Sequence, residues 1–304
     1  MLASKFLQEE PRASPTPWPA GPPNAEVRVI SVTLMATPRG PLTEPLPWNM
    51  VSKDYASELV PQFEKYARDA LRVAELPPDA RVLDVAAGPG TLTLLAAQSA
   101  KSVAAIDFAS DMIAILEQRV QVSGMSNVSA RVGDGQALPY EDGSFDAAFS
   151  MFGLIFFPDR ARGLSEIKRV LAPGGVAVIS AWRPFVEAPL LQALMGALAA
   201  QLPDLPFGKS KAPLGEPEEV VAELRAAGFR DVRVERVTHA IEAPDLATFW
   251  DSTQRTMAPL VLLREKMGAA WAPVGQRIFA ALESSFGPGP QVAAMPALLG
   301  VGRM

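Results

Sequence analysis

Residues 82–97 read VLDVAAGPGTLTLLAA, and this stretch decides the fold. A short branched apolar run is a strand, Gly88 and Gly90 make a tight turn, and the apolar spacing from Thr91 onward is helical. A strand, glycine turn and helix at the first βα junction of an alternating chain is where a doubly wound sheet takes its ligand. Two glycines let the backbone approach a guest closely, and the amides of the helix start point toward a negative group. The guest implied is nucleotide-like. A dinucleotide fingerprint needs a third glycine or alanine where Thr93 stands, and a phosphate-binding P-loop needs Lys-Ser or Lys-Thr where the chain has Thr91-Leu92. Neither pattern is met.

Outward from this turn the chain keeps its rhythm. Strands are predicted at 81–86, 102–107, 128–133, 145–149 and 176–182, with helices at 91–99, 110–123 and 160–171 and a turn at 172–175. After Trp182 come an apolar helix at 188–201, a loop at 202–214, a helix at 216–227 and a strand at 231–237. Helical segments at 244–267 and 273–286 precede a last apolar run, 292–301, that can return to the sheet. The architecture expected is α/β: a doubly wound, mostly parallel, seven-stranded Rossmann-like sheet, with helical N-terminal and C-terminal additions over its substrate side.

Three strand ends carry acids: Asp84, Asp107 in VAAIDFASDM, and Asp134 in VGDGQALPYEDGSFD. Asp107 is placed to accept two hydrogen bonds from ribose hydroxyls. Met112, one turn into the next helix, can lie against a flat base, and Asp134 can accept from an exocyclic amine. Such a row suits a ligand with hydroxyls, an amine and a positive charge better than one carrying phosphates.

At these residues the sequence resembles the class I S-adenosylmethionine-dependent methyltransferases, nearest the branch of ubiquinone and menaquinone biosynthesis C-methyltransferases. The resemblance runs from about Trp48 to Trp182 on VLDVAAGPG, AIDFASDM, GDGQALPYEDGSFDAAFSMFGL and EIKRVLAPGGVAVIS. It implies S-adenosylmethionine as cofactor, with Asp84, Gly88, Pro89 and Gly90 along its methionine end. It further implies Asp107 at the ribose, Met112 on the adenine face, Asp134 and Gly135 at the adenine edge, and Ser150 beneath the sulfonium. Ala86 departs mildly from the glycine that many members carry there.

Composition narrows the chemistry. With no cysteine and one histidine, His239, the chain has no thiolate nucleophile, no disulfide and no multi-histidine metal centre. His239 is read as a surface or satisfied core residue, and no metal is expected. A net charge of −5 over 304 residues, with no basic patch, argues against a nucleic-acid partner. Cytosine C5 methylation needs a cysteine. The amino-methylating enzymes resemble one another in an Asn/Asp-Pro-Pro-aromatic motif where this chain reads Ser150-Met151-Phe152-Gly153. The longest apolar stretch, 188–202, is shorter than the roughly 20 residues of a membrane crossing, and no targeting segment is recognised, so a cytoplasmic location is expected.

The reaction expected is methyl transfer to a small-molecule acceptor, apolar or aromatic. The alternatives are a non-methylating protein that binds the same cofactor and an NAD-dependent oxidoreductase on a similar sheet. Phe152, Phe156 and Phe157 lie where an acceptor would approach. The segment 249–263, with Trp250, Met257 and Leu260, is a candidate cover. No catalytic base can be named from the sequence, and neither the acceptor atom nor the oligomeric state is determined by it.

Ten prolines among the first 47 residues (Pro11, Pro15, Pro17, Pro19, Pro22, Pro23, Pro38, Pro41, Pro45 and Pro47) predict a disordered or extended arm over 1–47. Its one strand-like piece is 27–34, and Met35 is a candidate start. A helical pre-domain is expected over 48–78, with Val51, Tyr55, Leu59, Phe63, Tyr66 and Ala70 at helical spacing and Pro61 in the first turn of its second helix. The cofactor-binding core is expected over 79–182, and cover helices with the last strands over 183–304.

Overall fold

Seven strands form one sheet in the order β3-β2-β1-β4-β5-β7-β6. They are β1 (Arg81–Val85), β2 (Ser102–Asp107), β3 (Val128–Val132), β4 (Phe145–Ser150), β5 (Leu171–Trp182), β6 (Arg230–Ala243) and β7 (Gln291–Arg303). β1 to β5 pair in parallel, and β7 runs antiparallel to both of its neighbours. The computed structural model describes residues 40–205, 207 and 211–304, all within one unit, 31–304. The strand-like piece at 27–34 and the candidate start at Met35 lie outside the described residues.

The central strands are buried on both faces, as parallel strands covered by helices must be. Their alternation divides the core in two. Val82, Val103, Ala147, Phe149, Val176 and Val178 join residues of α2 (Val60–Ala74) and α3 (Thr91–Ala96) on one face. Leu83, Val85, Ala104, Ile106, Ala148 and Ile179 join α5 (Arg160–Val170) and α7 (Pro217–Ala226) on the other. β3 and β6 are the edges and are largely exposed or half-buried along their lengths.

Several expected boundaries are corrected. The arm does not extend to Pro47: Pro41–Thr43 form a 3-10 turn and α1 spans Pro45–Asp54. Prolines at the first positions of a helix cost nothing there, because those amides have no intrahelical acceptor. α1 continues through a π-type turn, Tyr55–Leu59, into α2, with Pro61 again in a first turn. The expected helix over 244–267 is two, α8 (Leu246–Thr256) and α9 (Ala258–Met267), which meet at Met257 (φ −84°, ψ 101°). Pro259 forbids the helix from running through, since it lacks an amide and crowds the residue before it. The following helix, α10, starts at Trp271 and spans Trp271–Phe286.

β6 is longer than the 231–237 expected. β5 stops pairing with β7 at Trp182 opposite Ala297, so residues 291–296 of β7 pair with β6 alone. The result is a two-stranded ribbon that overhangs the parallel sheet. α8, α9 and α10 are inserted between its strands. They pack with α6 (Pro189–Gln201) around Leu191, Leu194, Phe249, Trp250, Leu260 and Ile278. A smaller cluster of Leu42, Val51, Met112 and Ala258 ties α1 to α4 (Ser110–Ser123) and α9. Among the described residues no helix is long and apolar enough to cross a membrane.

The loop between β3 and β4, which carries Asp134 and Gly135, is held from α5 by the Arg169 guanidinium and by Glu166, which accepts from the Leu138 amide (2.8 Å). Arg169 donates to the carbonyls of Leu138 (2.9 Å) and Tyr140 (2.8 Å) and to Glu166 and Asp142. Arg169→Met strands two carbonyls and is expected to cost about 1–3 kcal/mol, read as a lower urea midpoint at unchanged slope.

Candidate functional site

The C-terminal ends of β1, β2 and β4 open into a cavity of about 1230 Å³. Single drug-sized ligands occupy pockets of roughly 300–1,000 Å³, so this space can take two guests. Its floor is the sheet edge. Its remaining walls come from α1, the π-type turn, α2, α6, α8 and the β6–β7 ribbon.

Asp107, at the end of β2, is 6% exposed, and its two oxygens are held by different loops. Oδ2 accepts from the Gly88 amide and Oδ1 from the Ala109 amide, both at 2.8 Å. Burial pushes its carboxyl above the usual range, and the amides of Ala109, Gly88 and Phe108 oppose that shift. Gly88 takes φ 55° and has open space where a side chain would begin, so the backbone itself forms the cavity wall. Gly90 takes φ 81° for a different reason. A Cβ there would fall 2.1 Å from Leu116 Cδ1, so Gly90 lets α4 pack behind the turn. Arg119 of α4 donates to the Pro89 carbonyl (2.5 Å) and braces the turn from outside.

Asp84 is 1% exposed, with Oδ2 accepting from the Thr93 hydroxyl at 2.6 Å. Thr93 is thus a partner for the buried acid, which explains a side chain where a dinucleotide fingerprint has glycine or alanine. Burial pushes the Asp84 carboxyl up to about 7, and the charge of Asp107 adds to that while the Thr93 hydrogen bonds oppose it.

Most of the expected site residues meet here. Asp84, Gly88, Pro89, Asp107, Met112, Asp134 and Gly135 all line the cavity. Asp134 Oδ1 is engaged by its own loop, accepting from the Gln136 amide (2.8 Å) and Nε2 (3.1 Å). Gly90 and Ser150 do not reach the wall. Ser150 is fully buried under Gly153, and its hydroxyl finds no partner among the described residues. His239 is also away from the cavity. Its Nε2 lies 2.7 Å from Asp69 Oδ2, and its ring meets Tyr66 edge-on at 4.7 Å, so it is a satisfied bridge between β6 and α2.

Phe152, Phe156, Phe157 and Met257 of the expected acceptor approach and cover also line the cavity, whereas other lining residues were not singled out by the sequence. Tyr55, Glu58, Phe185, Met195, Ile241 and Met295 face the cavity from elements with no motif of their own. The periodicity that placed Tyr55, Met195 and Met295 on their elements gave no sign of which apolar face would be covered, and Phe185 and Ile241 fell outside the elements expected. Glu58 accepts from Arg255 Nε (3.0 Å), joining the π-type turn to α8, and its carboxyl is held below the usual range by Arg255 and Ser252 against the effect of burial. Arg183 and Lys211 also line the cavity but are engaged, Arg183 with Glu187 and Glu216 and Lys211 with Glu219. Among the described residues no cluster of metal-ligating side chains occurs.

With this geometry, comparison with known proteins is direct. Residues 82–175 match the methyltransferase domain family. A demethylmenaquinone methyltransferase of Thermus thermophilus is 32% identical over 195 residues, covering 59% of this chain and 87% of that protein. A ubiquinone/menaquinone biosynthesis C-methyltransferase of Geotalea daltonii is 36% identical over 118 residues, 38% of this chain and 50% of that one. Among solved structures, the YcgJ protein of Bacillus subtilis superposes with a TM-score of 0.54 at 18% identity, over 79% of this chain and 97% of its own. A methyltransferase-like protein of Bacillus halodurans gives 0.51 at 18%, over 79% and 98%. At such identities these two structures speak for the fold.

Two measurements follow from the geometry of the strand ends. Ala86 sits at φ 57°, a conformation that costs a non-glycine residue roughly 1–2 kcal/mol. Ala86→Gly is expected to stabilise the protein by about 1 kcal/mol after the greater chain entropy of glycine is subtracted, read as a rise in Tm. Asp84 binds its proton more tightly folded than unfolded, so its contribution to stability is full below about pH 4 and is lost as pH rises toward 7. Asp84→Asn should therefore gain on the wild type in Tm between pH 4 and 8; a constant difference would exclude the elevated carboxyl.

Proposed function

Because the chain belongs to the class I S-adenosylmethionine-dependent methyltransferases, we propose that it transfers the methyl group of that cofactor to a small, apolar or aromatic acceptor held in the same cavity. The observation that carries this reading is one continuous space, acidic at the strand ends and apolar beyond them, large enough for both partners.

The residues present fit the cofactor. Three acids, the open backbone at Gly88 and the thioether of Met112 offer acceptors for hydroxyls and amines and a flat apolar contact, while phosphate finds no lysine in the turn. In this proposal Asp107 accepts from ribose hydroxyls through the second lone pairs of oxygens already fixed by Gly88 and Ala109. Asp84, Gly88 and Pro89 line the methionine end, and Met112, Asp134 and Gly135 receive the adenine. When bound, S-adenosylmethionine supplies an electrophilic methyl group on a sulfonium.

The protein's own contribution is orientation and dryness. In-line displacement needs the acceptor atom aligned with the methyl carbon and water excluded. The apolar cover of α6, α8 and the ribbon serves both. Tyr55 is unsuited to act as a base, because burial, reinforced by the charge of Asp107, drives its hydroxyl well above the ordinary tyrosine range. His239 and Asp69 lie outside the cavity wall. The proposal therefore favours acceptors that lose their proton readily, such as acidic carbon acids and phenols. The quinone-directed names of the Thermus and Geotalea relatives support an aromatic acceptor of this kind.

Calorimetric titration with S-adenosylmethionine, S-adenosylhomocysteine and NAD tests the assignment. The first two are expected to bind and NAD is not; binding of NAD alone would overturn it, and binding without turnover in an acceptor screen would favour a non-methylating role. Asp107→Ala is expected to weaken S-adenosylhomocysteine by about 1–3 kcal/mol. Protonated Asp84 is a poorer partner for a cation than its carboxylate, so S-adenosylmethionine affinity should rise with pH through about 7, and the rise should vanish in Asp84→Asn.

A further inference from the structure

One pair of rings in the cavity is held by strained backbone. Phe152, two residues beyond β4, has φ 58°, a region that bulky L residues avoid unless the surroundings impose it. Its amide donates to Ser180 Oγ (2.8 Å), and the next residue, Gly153, lies so close to Ala86 that an added Cβ would be 2.3 Å from the Ala86 methyl. Phe152 is thereby pinned between β5 and β1. Its ring stacks on Trp182 with centroids 3.8 Å apart and planes 8° from parallel. Tyr66 meets both rings edge-on at 5.4 Å, and Phe63 leans on both at 5.7 Å. Tyr66 is itself fixed by donating its hydroxyl proton to the Met295 carbonyl (2.5 Å). Phe63, Phe152 and Trp182 line the cavity, and Tyr66 is buried beneath them.

The charges around this stack discriminate as well. Among the described residues, the two cationic side chains that line the cavity, Arg183 and Lys211, are engaged by Glu187, Glu216 and Glu219. The strand ends contribute carboxylates. An anionic acceptor would shed its water and find no free cation among the described residues, whereas a flat neutral ring finds preorganised aromatic surface.

Building on the methyltransferase reading, we infer that the Phe152–Trp182 stack is the platform on which the acceptor lies, and that Phe152 selects planar, uncharged acceptors. The strained turn is the cost of presenting that ring at the edge of the sheet. Burial alone would class Phe152 as core, but its ring also lines the cavity.

The test is calorimetric titration of the full chain, saturated with S-adenosylhomocysteine, with three probes of similar size: 2-naphthol, decahydro-2-naphthol and 2-naphthoate. The planar neutral probe is expected to bind about fivefold more tightly than the saturated one and about tenfold more tightly than the anion. Phe152→Leu should bring the first ratio close to one with S-adenosylhomocysteine still bound, and Phe152→Tyr should retain it. Equal binding of naphthol and naphthoate, no binding of naphthol, or a planar preference that survives Phe152→Leu would each overturn the inference. If Phe152→Leu fails to fold, Trp182→Leu reads the same ratio, and the wild-type ranking needs no variant. Failure of S-adenosylhomocysteine itself to bind the wild type would instead strike the methyltransferase reading, and the probes can then be ranked on the free protein.

Discussion

One carboxylate joins the two loops on which the strand-end side of the cavity is built. Asp107 takes the Gly88 amide with one oxygen and the Ala109 amide with the other, so the glycine turn after β1 and the start of α4 after β2 share a single anchor. The Ala109 bond is buried and the Gly88 bond partly so, where a hydrogen bond to a charged acceptor is strong and an unpaired donor expensive. The turn cannot move without breaking one of them. The other supports lie around this point: Arg119 holds the Pro89 carbonyl, Gly90 admits Leu116, and Thr93 satisfies Asp84.

A buried acidic row held this way costs stability in the free protein. Asp84 and Asp107 are both pushed toward protonation by desolvation, and the charge of Asp107 adds to the effect on Asp84. In the proposed reading such a pair would lower its energy when a cationic, hydroxyl-bearing guest binds, which would tie affinity to the electrostatics of the strand ends. The strained backbone at Ala86 and Phe152 belongs to the same edge, at the ends of the adjacent strands β1 and β4. Strain and desolvated charge both gather where the sheet meets its ligands, while the faces of the sheet are ordinary packed core.

The half of the cavity away from the strand ends is made by topology. The β6–β7 ribbon overhangs because β5 ends its pairing at Trp182, and that overhang carries three helices back across the sheet edge. The N-terminal helices close the other side, linked to α8 through Glu58 and Arg255. The cover therefore joins pieces of chain separated by about two hundred residues in sequence.

The sequence by itself determined the alternating sheet, its turn and the acids at the ends of β1 and β2, because these follow from local spacing: a period of two, a period near 3.6, and glycine where the backbone must turn left. It also determined the exclusion of cysteine chemistry and of multi-histidine metal centres, which the counts of those residues settle. Tertiary structure decided what local spacing cannot encode. Thr93 became the partner of Asp84, Ser150 sank beneath the floor, residues 41–47 became a 3-10 turn and the start of a helix instead of arm, and Phe152 was pinned in a left-handed turn against Trp182. Each of these depends on which element packs on the residue, and burial, not pattern, assigns its role.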